Sequence, residues 1–199
     1  MANGRDIEVW NNHAKDCRDM KRKKFEFLSD TPLTTFLKNL KDVNNVLDFG
    51  CGPGYWSNLF KGKKYTGVDQ SSAMIELAKE LANDGEEFRL IVNSGIPPLR
   101  GTQKYDLIFT ASVMQHNGLE DKIKILNAFK EVTSIGSYYL CTENTYRSDN
   151  CMYVKDTLND CYTDGFSYTA KGWTDLLNDN GWKLLSFSEP GEYLFQRVS

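Results

Sequence analysis

The sequence predicts an α/β fold in which a mostly parallel sheet ends in an antiparallel hairpin. An apolar strand at residues 45–49 runs into three alternating glycines within residues 50–54, which is typical of a strand, a tight turn and a helix start. A second short strand at 64–69 ends in an acid. Two strands within residues 182–198 are joined by a tight turn, and such a turn can connect only antiparallel strands.

Two helices are expected before the first strand. Apolar residues recur every three or four positions in residues 6–29, and a second helix at about 32–40 has Thr31 available as its cap. The basic run at residues 18–24 fits either a solvated helix face or contact with an anionic substrate.

Further elements follow in an alternating order. Residues 55–60 have helical apolar spacing, which predicts a helix of about two turns between the first two strands. Strands are predicted at 87–92, 105–110 and 137–142. A helix begins after Ser71 or Ser72 and has a buried stripe from Met74 to Leu81, and a helix at 121–132 has a stripe of Ile123, Leu126, Phe129 and Val132. Thr169 caps a last helix, which ends at Asn180 and Gly181.

The spacing of the glycines narrows the choice of ligand. Dinucleotide folds use G-x-G-x-x-G, whereas this loop is G-x-G-x-G and Asp48 precedes its first glycine by two residues. An anion would be repelled by that carboxylate, but an amino group or a sulfonium would not. Asp69 ends the second strand, at a distance suited to accepting both hydroxyl hydrogens of a ribose. A nicotinamide-dependent oxidoreductase is therefore disfavoured.

Two motifs together resemble the class I S-adenosylmethionine-dependent methyltransferases. The segment VLDFGCGPGYWS (residues 46–57) resembles the first motif of that family, and GVDQSSAMI (67–75) resembles the second. Residues 104–109 and 172–198 extend the likeness over most of the chain. The resemblance implies a three-layer αβα Rossmann-like sandwich with a seven-stranded, mostly parallel sheet and an antiparallel C-terminal hairpin. It also implies S-adenosylmethionine as cofactor and S-adenosylhomocysteine as product.

The resemblance assigns cofactor positions. Asp69 would bind the ribose and the glycine loop the methionine part, while Asp48 would order the loop or reach the amino group through water. Met74 would lie against the adenine or pack in the core. Many family members carry an aspartate after the third strand, where this chain has Asn93, with Ser94 as the alternative. The predicted cofactor-binding residues are Asp48, Gly50, Cys51, Gly52, Gly54, Trp56, Asp69, Gln70, Met74, Asn93, Ser94 and Thr110.

His116 is the candidate catalytic residue. It follows the strand at 105–110, and ligands of such sheets bind beyond the carboxyl ends of the strands. It would remove a proton from a substrate hydroxyl or amine before methyl transfer, or only shape the loop. Trp10, Glu143 and Tyr146 are further substrate candidates. Trp10 would close over the ligand or pack in its helix, and Glu143 and Tyr146 would orient substrate or bind loop amides.

One domain spanning residues 1–199 is expected. Its parts are N-terminal cap helices at 1–42, a cofactor-binding core at 43–145, a substrate lid at 146–168 and a C-terminal helix and hairpin at 169–199. The lid segment also fits a short surface helix and loop. A small-molecule substrate is favoured; methylation of a protein or peptide and a non-catalytic cofactor-binding subunit are the alternatives.

Composition excludes several classes of partner. A net charge of −3 gives no basic field for nucleic acid. The five cysteines include no C-x-x-C pair, which argues against a zinc site and a disulfide framework, so no metal is expected. The absence of an 18-residue apolar run and of a charged and apolar leader predicts a cytoplasmic protein without membrane contact. A monomer or a homodimer fits this composition.

Overall fold

The computed structural model describes residues 4–19, 23–26, 31–40, 42–92, 104–143, 154–156, 165–167, 169–188 and 191–199. The helices within them are α1 (Gly4–Asp19), α2 (Pro32–Asn39), α3 (Ser72–Glu80), α4 (Leu119–Val132) and α5 (Ala170–Asp179). The strands are β1 (Asn45–Phe49), β2 (Lys64–Asp69), β3 (Glu86–Leu90), β4 (Tyr105–Ala111), β5 (Thr133–Thr142), β6 (Val154–Asp156), β7 (Gly165–Ser167), β8 (Trp182–Ser188) and β9 (Glu192–Arg197). Two 3-10 turns lie at Ser57–Phe60 and Met114–His116.

Seven of these strands form one sheet in the order β3-β2-β1-β4-β5-β9-β8. β1 pairs in parallel with both β2 and β4, and the chain order reverses at this point of the sheet. β9 pairs antiparallel with β5 and β8. The predicted fold class, including the C-terminal hairpin, is therefore confirmed. β6 and β7 form a separate two-stranded sheet.

Apolar residues fill both faces of the sheet. One face packs against α4 and α5, and the other against α2 and α3. This arrangement makes three layers, as predicted. Core members on the first face include Leu47, Ile108, Phe129, Tyr139, Trp173 and Trp182. Core members on the second include Phe36, Val46, Phe60, Ile75, Phe88 and Leu107.

Side chains cap three of the helices. The hydroxyl oxygens of Thr31, Ser71 and Thr169 each accept a hydrogen bond from the backbone amide three residues later, at 3.1 to 3.2 Å. Such bonds satisfy backbone donors that the first turn of a helix leaves unpaired. All three caps agree with the sequence prediction, which named Ser71 or Ser72 for α3.

The prediction of a two-turn helix at residues 55–60 is wrong. Tight turns and the 3-10 turn Ser57–Phe60 occupy this segment, where the Leu59 amide donates to Trp56 O at 2.9 Å. A 3-10 turn rises further per residue than an α-helix, so it spans the short distance to β2 with few residues.

Other element bounds differ from the predicted ones. α1 ends at Asp19 instead of reaching residue 29. β3 begins and ends earlier than 87–92, and β5 begins at Thr133, ahead of a register shift in its pairing with β4. In α4 the fold buries Lys122 and Ile125 and leaves Ile123 partly exposed. Among the described helices, none combines the length and the apolar character needed to cross a bilayer.

Candidate functional site

A cavity of about 300 Å³ lies at the carboxyl ends of the central strands. Its wall comes from the glycine loop after β1, the end of β2, the start of α3, the turn after β4, and α1. This edge is where parallel α/β sheets bind their ligands. The predicted site residues that line the cavity are Trp10, Gly50, Cys51, Gly52, Trp56, Asp69, Gln70, Met74 and His116.

The three glycines of the loop differ in what they make room for. All three have positive φ angles of 51° to 73°. A Cβ on Gly50 would lie 2.6 Å from Val113, and one on Gly54 would lie 2.7 Å from Phe88. A Cβ on Gly52 would meet no atom closer than the Met74 sulfur at 4.0 Å. Neighbouring side chains thus leave no room for a Cβ at Gly50 or Gly54, whereas Gly52 exposes its backbone to the cavity.

Asp69 holds the loop from the end of β2. Its Oδ2 accepts a hydrogen bond from the Gly52 amide at 2.9 Å, and its Oδ1 accepts one from the Ser71 amide at 2.8 Å. Burial raises the pKa of Asp69, and the backbone hydrogen bonds oppose this. A carboxylate oxygen can accept more than one hydrogen bond, so Asp69, which lines the cavity, has acceptor capacity left for a ligand.

Asp48 lies beneath the loop and does not line the cavity. It is 1% exposed and accepts a hydrogen bond from the Tyr65 hydroxyl at 2.5 Å. Burial raises the pKa of Asp48 to about 7; the bond from Tyr65 opposes this and the charge of Asp69 adds to it. A role through water for Asp48 stays a prediction.

α1 covers the cavity and is attached to two elements of the core. The Asn11 side-chain oxygen accepts a hydrogen bond from the Ser71 hydroxyl at 2.6 Å, at the start of α3. The Trp10 ring meets the His116 ring edge to face, with centroids 5.2 Å apart. Trp10 therefore lies at the site, as predicted, and contacts the candidate base.

Glu143 binds the turn after β4 from below. It is 5% exposed and lies outside the cavity wall, as does the buried Thr110. Its Oε1 accepts from the Thr110 hydroxyl at 3.1 Å and from the Met114 amide at 3.2 Å, and its Oε2 accepts from the Gln115 amide at 3.3 Å. Of the two roles left open for Glu143, the structure shows contact with loop amides.

The basic run also contacts acids of the protein itself. Arg18 pairs with Glu80 at 2.8 Å on the surface, and Lys24 pairs with Glu86. Neither cation lines the cavity. These contacts favour a structural role for Arg18 and Lys24 over contact with an anionic substrate.

Some predicted residues cannot be placed at the cavity. Asp48, Gly54, Thr110 and Glu143 are described but do not line it. Asn93, Ser94 and Tyr146 lie outside the described residues. Of the predicted lid at residues 146–168, the structure describes β6 and β7. β7 lies beside the turn that carries His116.

Sequence reasoning missed several residues of the cavity wall. They include His13, Cys17, Phe25, Tyr55, Ser112 and Asn117. Trp10, His13 and Cys17 follow one another at helical spacing, so the periodicity of α1 could have predicted that His13 and Cys17 share a face with Trp10. Within the described ranges, no group of three or more His, Cys, Asp or Glu is arranged to hold a metal ion.

Comparison with known proteins identifies the family. Residues 20–186 match the family model described as a methyltransferase domain. The chain belongs to this methyltransferase family. The match agrees with the resemblance carried by the glycine loop and by the acid that ends β2.

Curated relatives align with this methyltransferase over only part of their own length. Malonyl-(acyl-carrier protein) O-methyltransferase 1 of Ilyobacter polytropus is 31% identical over 108 residues, 52% of this chain and 39% of the relative. The tRNA U34 carboxymethyltransferase of Shewanella sediminis is 35% identical over 99 residues, 46% of this chain and 30% of the relative. The chain thus spans well under half the length of these relatives.

A solved structure agrees with the fold along nearly the whole chain. DhpI, in a complex with SAM and HEP, superposes with a TM-score of 0.67 at 19% identity, covering 99% of this chain and all of DhpI. These findings confirm the Rossmann-like fold and the methyltransferase class.

Proposed function

We propose that this methyltransferase binds S-adenosylmethionine in the cavity and methylates a hydroxyl or amine of a small molecule. The observation that carries the proposal is the contact between Gly52 and Asp69. The Asp69 carboxylate holds the Gly52 amide at 2.9 Å, so an open stretch of backbone and a ribose-binding acid face one cavity. The residues present fit the cofactor because, among the described residues, no atom lies closer than the Met74 sulfur, at 4.0 Å, to a Cβ built on Gly52.

Each part of the cavity wall has a proposed role towards the cofactor. Asp69 accepts hydrogen bonds from the ribose hydroxyls, and the loop at Gly50 and Gly52 lies against the methionine part. Met74 and Gln70 line the same cavity, and we propose that they contact the adenine. S-adenosylmethionine supplies an electrophilic methyl group, so the protein has to position a nucleophile and accept its proton.

His116 is the proposed proton acceptor. It lines the cavity from the turn after β4, on the other side of the glycine loop from Asp69. Its imidazole takes the proton from the substrate hydroxyl or amine as the methyl group is transferred. Trp10 contacts this ring edge to face and thereby restricts its orientation.

A small molecule is preferred over a macromolecule for two reasons. The net charge of −3 gives no general attraction for nucleic acid, and α1 covers a cavity of limited size. The tRNA and acyl-carrier-protein named for the relatives remain alternatives, as does a peptide. We propose that residues 146–168 form the substrate lid, because β7 lies beside the His116 turn.

Calorimetry with S-adenosylmethionine and S-adenosylhomocysteine tests the cofactor site. We expect binding by the wild type and at least about tenfold weaker binding by Asp69→Ala, since a charged hydrogen-bond acceptor contributes about 1.5–3 kcal/mol. Asp84→Ala, which removes an exposed acid, is the control. No binding of either compound by the wild type would reject the proposed cofactor site, and equal binding by Asp69→Ala would reject the role of Asp69.

A further inference from the structure

We infer that Glu143 and Lys122 are positioning residues that hold the His116 turn from beneath, one at each of its ends. This turn is the 3-10 segment Met114–His116. The inference rests on the proposed function in one respect, namely that His116 is the proton acceptor. Neither residue lines the cavity, so both act through the backbone of the turn.

Glu143 holds the beginning of the turn. Its carboxylate accepts hydrogen bonds from three consecutive backbone amides, those of Val113, Met114 and Gln115, at 3.2 to 3.4 Å. Val113, at the cap position, supplies no side-chain hydrogen bond of its own. The carboxylate at the end of β5 thus takes the place of a local cap, with a negative charge where the amide dipoles favour one.

Lys122 holds the end of the turn. Its side chain is 1% exposed, and its Nζ donates a hydrogen bond to the Asn117 carbonyl oxygen at 2.6 Å. Asn117 is the residue that ends the turn, and its amide donates to Met114 O at 3.1 Å. A positive charge therefore lies at the carbonyl group of the residue that ends the turn, at the opposite end from Glu143.

Burial acts on both groups, and the charge of Glu143 also acts on Lys122. Burial lowers the pKa of Lys122 to about 8, and the negative charge of Glu143 opposes this. Burial raises the pKa of Glu143 to about 7, while the amide and hydroxyl hydrogen bonds lower it. Burying two charged groups costs free energy that apolar side chains would avoid, so a packing role alone gives no reason for them. Fixing the turn that carries His116 gives one.

The chain offers a direct probe, because it contains only two histidines. The ring signals of His116 in an NMR spectrum can be assigned by their persistence in His13→Gln. The Trp10 ring, 5.2 Å away, shifts these signals and gives cross-relaxation with them. The spectrum thus reports the position of His116 without reference to activity.

The test compares Glu143→Gln and Lys122→Met with two controls on the exposed side of α4, Glu120→Gln and Lys124→Met. We expect the two buried variants to move the His116 signals and weaken the contact with Trp10, and the controls to leave both unchanged. With a substrate, kcat should fall by about tenfold to a hundredfold, because misplacing a group by about 1 Å has effects of this size. The affinity for S-adenosylhomocysteine should change less than about twofold, because Asp69 and Gly52 are untouched. Lys122→Arg should restore part of the loss.

Unchanged His116 signals in both buried variants would overturn the inference. If these variants fail to fold, hydrogen exchange of the wild type decides instead. The Met114 and Gln115 amides should exchange slowly if Glu143 holds them, and exchange as fast as an exposed amide would reject the inference. If the signals move but neither S-adenosyl compound binds, the proposed function fails while the positioning role stands.

Discussion

Trp10 and His116 meet edge to face across the cavity, with ring centroids 5.2 Å apart and ring planes at 74°. This contact joins α1 to the turn after β4. We expect Trp10→Leu and His116→Gln to be non-additive in the free energy of unfolding, with a coupling of about 0.5–1.5 kcal/mol for an aromatic pair. Urea denaturation of the wild type, both single variants and the double variant measures it. Strict additivity would show that the rings contribute nothing to each other.

His116→Gln should reduce kcat by about a hundredfold or more, because positioned acid–base groups contribute rate factors of this size. Its affinity for S-adenosylhomocysteine should stay near that of the wild type. His13→Gln is the matched control, since His13 also lines the cavity but lies on α1. Steady-state kinetics with a small-molecule substrate and calorimetry make the comparison. Undiminished kcat in His116→Gln would leave the histidine with a shaping role only.

Gly54→Ala should destabilise the protein more than Gly62→Ala. Both glycines have positive φ angles, 73° and 84°, so both substitutions carry similar backbone strain. At Gly54 the new Cβ would collide with Phe88, at 2.7 Å, whereas a Cβ at Gly62 would meet none of the described atoms within 4 Å. We expect an additional loss of about 1–3 kcal/mol, as for other overpacked cores, measured by urea denaturation. Phe88→Leu in the Gly54→Ala background should recover part of it, and equal losses at both glycines would contradict the collision.

Asp48 should make the folded state less stable as the pH rises towards neutrality. Burial raises its pKa from 3.8 to about 7, so between these values the folded chain holds a proton that the unfolded chain has released. The free energy of unfolding therefore falls through this range. An asparagine side chain does not titrate, so Asp48→Asn should gain stability relative to the wild type, by on the order of a few kcal/mol, between pH 4 and 7.

Tyr65→Phe also tests whether Asp48 causes this pH dependence, because Tyr65 is its hydrogen-bond partner. The Tyr65 hydroxyl lowers the pKa of Asp48, so its removal should extend the loss of stability to higher pH. Urea denaturation across the pH range shows where the loss ends in each protein. Parallel curves for the wild type and Asp48→Asn would show that Asp48 has the same pKa in both states.

The sequence was sufficient wherever a local pattern determines the structure. β1 and β2 have the predicted bounds. Each is a short apolar run with an end signal in the local sequence: Gly50 directly follows β1, and Asp69 is the last residue of β2. The caps at Thr31 and Thr169 follow from the same local chemistry. Nine predicted residues line the cavity because strand ends converge at one edge of a parallel sheet.

Tertiary packing decides what the sequence could not. A lysine in a helix is normally solvated, yet docking of α4 places Lys122 under the turn after β4. Glu143 follows a strand as a ligand-binding residue would, but its carboxylate points to backbone amides instead of the cavity. Helical spacing groups His13 and Cys17 with Trp10, but the packing of α1 over the cavity is what brings them into its wall.

The attachment of α1 has a consequence for the order of folding. The partners of Asn11 and Trp10, at Ser71 and His116, are made much later during synthesis than α1 itself. Contacts between residues so far apart in the chain form late, because closing a long loop costs entropy before any contact repays it. α1 is therefore made before its partners, and it can cover the ligand edge of the sheet only once α3 and the turn after β4 have formed.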